Sequence, residues 1–177
     1  MPTRIWVTCS VTCLARVAIT GGSGPPPGWS PRYFWGLRLH LLTTLHGLPV
    51  GFALAGAKAG ERQVLLDILA DPVLTAGRDG QIIIADKNYY GHDFETTLAD
   101  GRICLLRPAR QGEPQRAGTQ FSKPLRQVIE SINDTFKGQL DLERHGGHTP
   151  AGVMVRILQR ILALTTASRV AGGSLIS

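Results

Sequence analysis

The stretch QIIIADKNYYGHDFETTLADGRICLLRP, residues 81–108, decides how this sequence folds. It opens on Ile82, Ile83 and Ile84, a β-branched run that reads as a short buried strand ending at Asp86. DFETTLAD (93–100) then reads as a short helix, and ICLLRP (103–108) as another buried strand. Strand, helix and strand in succession belong to a mixed α/β layer fold.

The neighbouring segments extend that pattern. Upstream, RYFWGLRLHLLTTLHGLPVGFALAGA (32–57) reads as two long strands meeting at His46-Gly47-Leu48-Pro49. ERQVLLDILADP (61–72) predicts a helix with Val64, Leu65, Ile68 and Leu69 on one face, ended by Asp71-Pro72. Downstream, a basic loop at 109–120 leads into two helices. One begins near Ser122 with Pro124 in its first turn, the other near Thr149 with Pro150. The predicted order is strand, strand, helix, strand, helix, strand, helix, helix.

The first thirty-one residues read differently. ITGGSGPPPGWSP (19–31) is glycine and proline punctuation, a linker or unstructured chain. IWVTCSVTCLA (5–15) has the outline of a poor signal peptide, but its Thr and Ser content and the following Arg16 argue against that. No apolar run reaches the roughly 20 residues that span a membrane. Cys9, Cys13 and Cys104 are too few and too scattered for a disulfide framework or a zinc site, which fits a reducing cytoplasm.

With 177 residues the chain suits one domain with a real core. Its net charge of +6 and pI near 9.7 favour an acidic partner, of which nucleic acid is the commonest. The charge is uneven: residues 1–60 hold Arg4, Arg16, Arg32, Arg38 and Lys58 but no Asp or Glu. Residues 102–126 hold six basic residues against Glu113 alone.

In LRQVIESINDTFK (125–137), Leu125, Ile129, Ile132 and Phe136 make a core stripe that Leu140 continues. Arg126, Glu130, Asn133 and Lys137 fall within roughly 60° of one another beside it. Alone, that is an exposed helix with charge pairs worth a few tenths of a kcal/mol. His145 and His148 form a weak H-x-x-H pattern that fits a glycine-rich interhelical loop better than a metal site.

The spacing Arg126, Glu130, Lys137 resembles the signature around the catalytic glutamate of DDE transposases from bacterial insertion sequences. IIIADKNYYGHDFE resembles their second-aspartate motif, and LLRPAR, KPLRQVIESINDTFKGQLDLERHGGHTPAGV and RILALT follow the family in wording and order. Lys123 stands where the signature often has tyrosine. The resemblance covers Arg32 to Ala167 and implies a ribonuclease H-like fold, a mixed sheet flanked by helices. It further implies three carboxylates holding two Mg²⁺ (or Mn²⁺) ions about 4 Å apart for phosphodiester cleavage and strand transfer. Asp86 and Glu130 match the second and third carboxylates, as catalytic residues and metal ligands. Lys87, Arg126 and Lys137 are the implied DNA phosphate contacts. The implied partners are transposon ends and target DNA, engaged by at least a dimer in the bacterial cytoplasm at the nucleoid, with no membrane.

The family's first Asp lies on the first strand, upstream of the hairpin, and this chain has no Asp or Glu before Glu61. The expectation is therefore a first strand missing or replaced, with residues 1–31 disordered or out of frame. Residues 32–167 would be a partial catalytic domain, and 168–177 an atypical tail. Such a copy would be defective in strand transfer. The alternatives are a DNA-binding remnant that inhibits full-length transposase through its basic 102–126 stretch, and a product without a role.

Overall fold

The computed structural model describes residues 5–13, 37–56, 58–75, 79–116, 127, 129–132, 134–139 and 150–173. Five strands form one mixed sheet: β1 (Ile5–Cys13), β2 (Leu37–Thr44), β3 (Pro49–Gly56), β4 (Gln81–Ile84) and β5 (Ile103–Leu106). Their order across the sheet is β3-β2-β1-β4-β5. β1 runs antiparallel to β2, from Trp6 opposite Thr44 to Cys13 opposite Leu37, and β2 antiparallel to β3. β1 is parallel to β4, and β4 to β5.

The helices follow from the sequence. In α1 (Glu61–Leu69) the residues at helical spacing, Val64, Leu65, Ile68 and Leu69, are all buried. A short α2 (Pro72–Thr75) starts where Asp71 Oδ1 accepts the Val73 N–H at 2.9 Å. α3 (His92–Asp100) buries Phe94 and Leu98, and carries Asp93 and Glu95 in its first turn, where the helix dipole favours carboxylates. α4 is described at residues 127, 129–132 and 134, and passes into a π-helical turn at Thr135–Gln139. α5 spans Pro150–Gly173, so its last turns take in part of the expected atypical tail. The β2–β3 turn is closed by Thr44 N–H to Leu48 O at 2.9 Å and Gly47 N–H to Thr44 O at 3.0 Å. Gly47 sits there at φ 77, a left-handed backbone that a residue with a Cβ adopts only at a cost.

Two cores lie on opposite faces of the sheet. On one, Leu42, Ile83, Ala85 and Tyr89 pack with α1 and α3 through Val64, Leu65, Ile68, Phe94 and Leu98. On the other, Leu39 and Leu41 pack with Ile132 of α4 and with Val153, Ile157 and Ile161 of α5, one residue per helical turn. The result is a layer of helices on each side of the sheet.

Where a first strand was expected to be missing or replaced, Ile5–Cys13 occupies the middle of the sheet, hydrogen-bonded to β2 on one side and β4 on the other. Ile5, Val7, Thr8, Val11 and Thr12 are β-branched, which suits a pleated strand, and their polar content does not bar burial. Thr8 is buried, and its hydroxyl makes a long 3.5 Å hydrogen bond to the Tyr89 hydroxyl. The rest of the segment expected to be disordered or out of frame (1–4 and 14–31), and the last residues, 174–177, lie outside the described residues.

Candidate functional site

The C-terminal end of β4 presents Asp86. Ala85 extends the β4–β5 ladder by one bond, its N–H reaching Leu106 O at 3.0 Å, and the chain then turns. Asp86 holds that turn: its Oδ1 accepts the Asn88 N–H at 2.6 Å, its Oδ2 the Asn88 side-chain amide at 3.4 Å, and its carbonyl the Tyr89 N–H at 3.3 Å. The carboxylate is exposed, as is Lys87 beside it. Each ionised carboxylate oxygen has more than one lone pair, so the turn bonds leave acceptor capacity facing solvent.

Glu130 is exposed on α4, and the packing of its neighbours fixes where that helix lies. Ile129 packs against a cluster of Ile84, Leu45, Ile82 and Leu106, which includes the last residue of β4. Ile132 is buried on Leu39 and Leu41. The α4 helix therefore lies over the end of β4 on the same face as Ile84, with the Glu130 backbone next to the residue that touches it. Lys137 is exposed in the π-helical turn, seven residues on, or roughly 10 Å along a helical axis. Arg126, Asn133, His145 and His148 lie outside the described residues.

The residue beside Asp86 on the neighbouring strand is set by register. β1 pairs in parallel with β4 through Ile5–Ile82, Trp6–Ile83 and Val7–Ile84. Two residues further along each chain stand Cys9 and Asp86. In the other direction position 9 pairs with Leu41, on the face that α4 and α5 cover. Sequence reasoning passed over this position because β1 was not recognised as a strand. Its signal was present in the run of β-branched residues from Ile5 to Thr12.

In the described part of the basic stretch, residues 102–116, several arginines meet carboxylates of the protein itself. Arg107 is buried and donates to both carboxylates beside it: Nε and Nη2 to Glu95 Oε1 at 3.0 and 2.8 Å, Nη1 to Glu113 Oε2 at 2.8 Å. Arg116 adds a 2.7 Å bond to Glu95, and Arg102 pairs with Asp79 at 2.7 Å. The Arg110 guanidinium lies 3.6 Å over the Tyr90 ring, a cation–π contact, and Arg62 reaches the Tyr90 carbonyl at 2.6 Å. Hydrogen bonds from Arg107 and the Arg110 backbone pull the Glu113 carboxyl down to about 2. Burial raises Glu95, but the bonds from Arg107 and Arg116 outweigh it and leave that carboxyl low. Bonding to Glu113, then to Glu95, raises Arg107 against the opposing effect of burial. Arg107 thus serves the protein's own carboxylates from inside the fold, whereas Arg102, though paired with Asp79, stays 73% exposed. Tyr90, His92, Glu95, Arg107 and Glu113 line an open pocket of about 460 Å³ around this network, on the side of α3.

The fit to a pair of divalent cations is poor. Asp86 and Glu130 are hard oxygen donors that suit Mg²⁺. Yet among the described residues no group of three His, Cys, Asp or Glu side chains is placed to hold a metal ion. Position 9, two residues past the last β1–β4 pair, as Asp86 is on its own chain segment, is a cysteine, and residues 1–60 contain no Asp or Glu at all.

A mixed sheet of order β3-β2-β1-β4-β5, with three antiparallel strands on one side and parallel strands on the other, covered by helices on both faces, defines a ribonuclease H-like domain. Within that class the chain belongs to the transposase DDE domain family, whose model matches residues 19–166. β1 precedes the matched span. No curated protein matches the chain significantly. Among solved structures it is similar to the Mos1 transposase paired-end complex with left transposon end, at 10% identity and TM-score 0.42, over 76% of this chain and 53% of that one. The pre-cleavage Mos1 transpososome gives 11% identity and TM-score 0.40, over 93% and 56% of the two chains. The Mos1 strand transfer complex gives 12% and 0.41, over 93% and 55%. The chain thus spans about half the length of the transposase chains it matches. Among the described residues no helix is long and apolar enough to cross a membrane.

Proposed function

We propose that the chain is the catalytic domain of an insertion-sequence transposase, and that this copy binds the DNA ends of its element without cleaving them efficiently. The observation that carries this is a strand-end aspartate, Asp86, beneath a helix bearing Glu130, in a transposase-family chain whose central strand holds no carboxylate. In this reading Asp86 and Glu130 are the remaining catalytic and metal-binding carboxylates, for Mg²⁺ or Mn²⁺. Lys87, Arg126 and Lys137 contact phosphates around them, and two copies act together on paired ends. Such cations, when bound, polarise the phosphodiester and activate the attacking oxygen. Two carboxylates do not make the site that holds a pair of them, so the reading stops at DNA binding.

The net charge of +6 supports a polyanionic partner. The test uses a duplex made from the terminal repeats that flank the coding sequence. Anisotropy titrations across a salt series should give binding that weakens as salt rises, and incubation with Mg²⁺ or Mn²⁺ should leave the strands intact. Cleavage by the native chain, or no binding at low salt, overturns the reading.

A further inference from the structure

We propose that the defect is a single side chain: position 9 is where a third metal-binding carboxylate belongs, and Cys9 fills it with a thiol. This rests on the transposase reading above but deepens it, because it places the lesion inside a folded strand. The register carries the argument. β1 and β4 are parallel neighbours paired through Val7 and Ile84. Counting two residues on from that last pair along each chain brings the register to Cys9 in β1 and to Asp86 at the turn that follows β4.

The face is fixed independently from both sides. Thr8 pairs with Leu42 and meets Tyr89, both in the core under α1 and α3. Position 9 pairs with Leu41, which belongs to the opposite core, beneath Ile129 and Ile132. Ile129 also touches the Ile84 cluster and precedes Glu130. Position 9 and the turn at Asp86 thus lie toward one end of the sheet, and α4, which carries Glu130, packs on the face of Leu41 and Ile84. Thr8 is committed to the other face, and position 7 is level with Ile84, within the strand and short of the turn. A carboxylate at 9 would give three hard oxygen donors for a divalent cation. A thiol there is a soft donor that Mg²⁺ does not favour.

The experiment compares the full native chain with Cys9→Asp, its uncharged isostere Cys9→Asn, Thr8→Asp, and Cys9→Asp combined with Asp86→Asn. Mn²⁺ binding is read by calorimetry and by loss of the free Mn²⁺ spin-resonance signal. Cys9→Asp should bind Mn²⁺ roughly tenfold or more tightly than the native chain, and the gain should vanish with Asp86→Asn. Cys9→Asn and Thr8→Asp should show no gain. Equal affinity in Cys9→Asp and Cys9→Asn, or an equal gain from Thr8→Asp, overturns the assignment.

A second measurement needs no new carboxylate. In the native chain, Cd²⁺ added as a probe should give a thiolate charge-transfer absorption that falls on both Cys9→Ser and Asp86→Asn. A band indifferent to Asp86→Asn sinks the proposal even if Cys9→Asp does not fold. Terminal-repeat DNA separates the two readings. Cys9→Asp that gathers Mn²⁺ yet neither binds nor nicks this DNA keeps the assignment and refutes the proposed function. Salt-dependent DNA binding without any gain in Mn²⁺ affinity does the reverse.

Discussion

Replacing Arg107 with methionine should destabilise this protein more than any other change in its basic stretch. The Arg107 side chain is 2% exposed, and its partners Glu95 and Glu113 are 26% and 31% exposed. Methionine keeps the packing of the stem but takes the shared cation from both carboxylates, leaving Glu95 to Arg116 and Glu113 to the Arg110 N–H. Removing one partner of a buried ion pair costs about 3–5 kcal/mol. The carboxylates reach water in part, which argues for the lower end, about 3 kcal/mol. For a chain of this size that is a fall of roughly 6–12 °C in Tm. Arg107→Lys should fall between, because an ammonium cannot reproduce the two-sided fork.

The same network sets an acid limb. Both carboxyls are lowered in the folded state, Glu113 to about 2, so their stabilisation is complete above the ordinary carboxylate range and is lost as pH falls toward that value. Arg107→Met should flatten that limb. Circular-dichroism melts of the native chain and both variants between pH 2.5 and 7 test this. A Tm within about 2 °C of native for Arg107→Met at pH 7 would show that the carboxylates relax into solvent, refuting the buried-pair argument.

His40 is buried, with neither ring nitrogen hydrogen-bonded among the described residues, and burial depresses its pKa. Its neutral form suits the fold, so stability should fall as pH drops below the ordinary histidine range; His40→Leu should remove that slope in urea melts and add about 1–2 kcal/mol. Gly51→Ala should cost about 1–2 kcal/mol by chemical denaturation, because its Cβ would stand 2.9 Å from both Ile68 Cγ2 and Leu74 Cδ1. Lys87→Ala and Lys137→Ala should each reduce the slope of log affinity against log salt for terminal-repeat DNA by about 1, leaving Tm nearly unchanged. An unchanged slope would remove that lysine from the DNA surface.

Much of the fold was legible because its signals are local. The α1 stripe of Val64, Leu65, Ile68 and Leu69 follows from helical spacing, and all four are buried. The turn at Gly47, the strand ending before Asp86 and the start of α5 at Pro150 follow from glycine, aspartate and proline chemistry acting over a few residues. A count of arginines over residues 102–126 does not show which of them Asp79, Glu95 and Glu113 fold against.

By itself, then, the sequence determined most of the succession of elements from β2 onward and pointed to Asp86 and Glu130 as candidate site carboxylates. Only the tertiary structure decided that Ile5–Cys13 is the central strand and that it runs parallel to β4 with Val7 opposite Ile84. The reason is physical. A helix or turn is specified by neighbours along the chain, whereas a strand among Thr, Ser and Cys residues becomes one only when distant backbones satisfy its N–H and C=O groups on both sides. Its register, and so the identity of the residue at the site, exists only once those long-range pairings form.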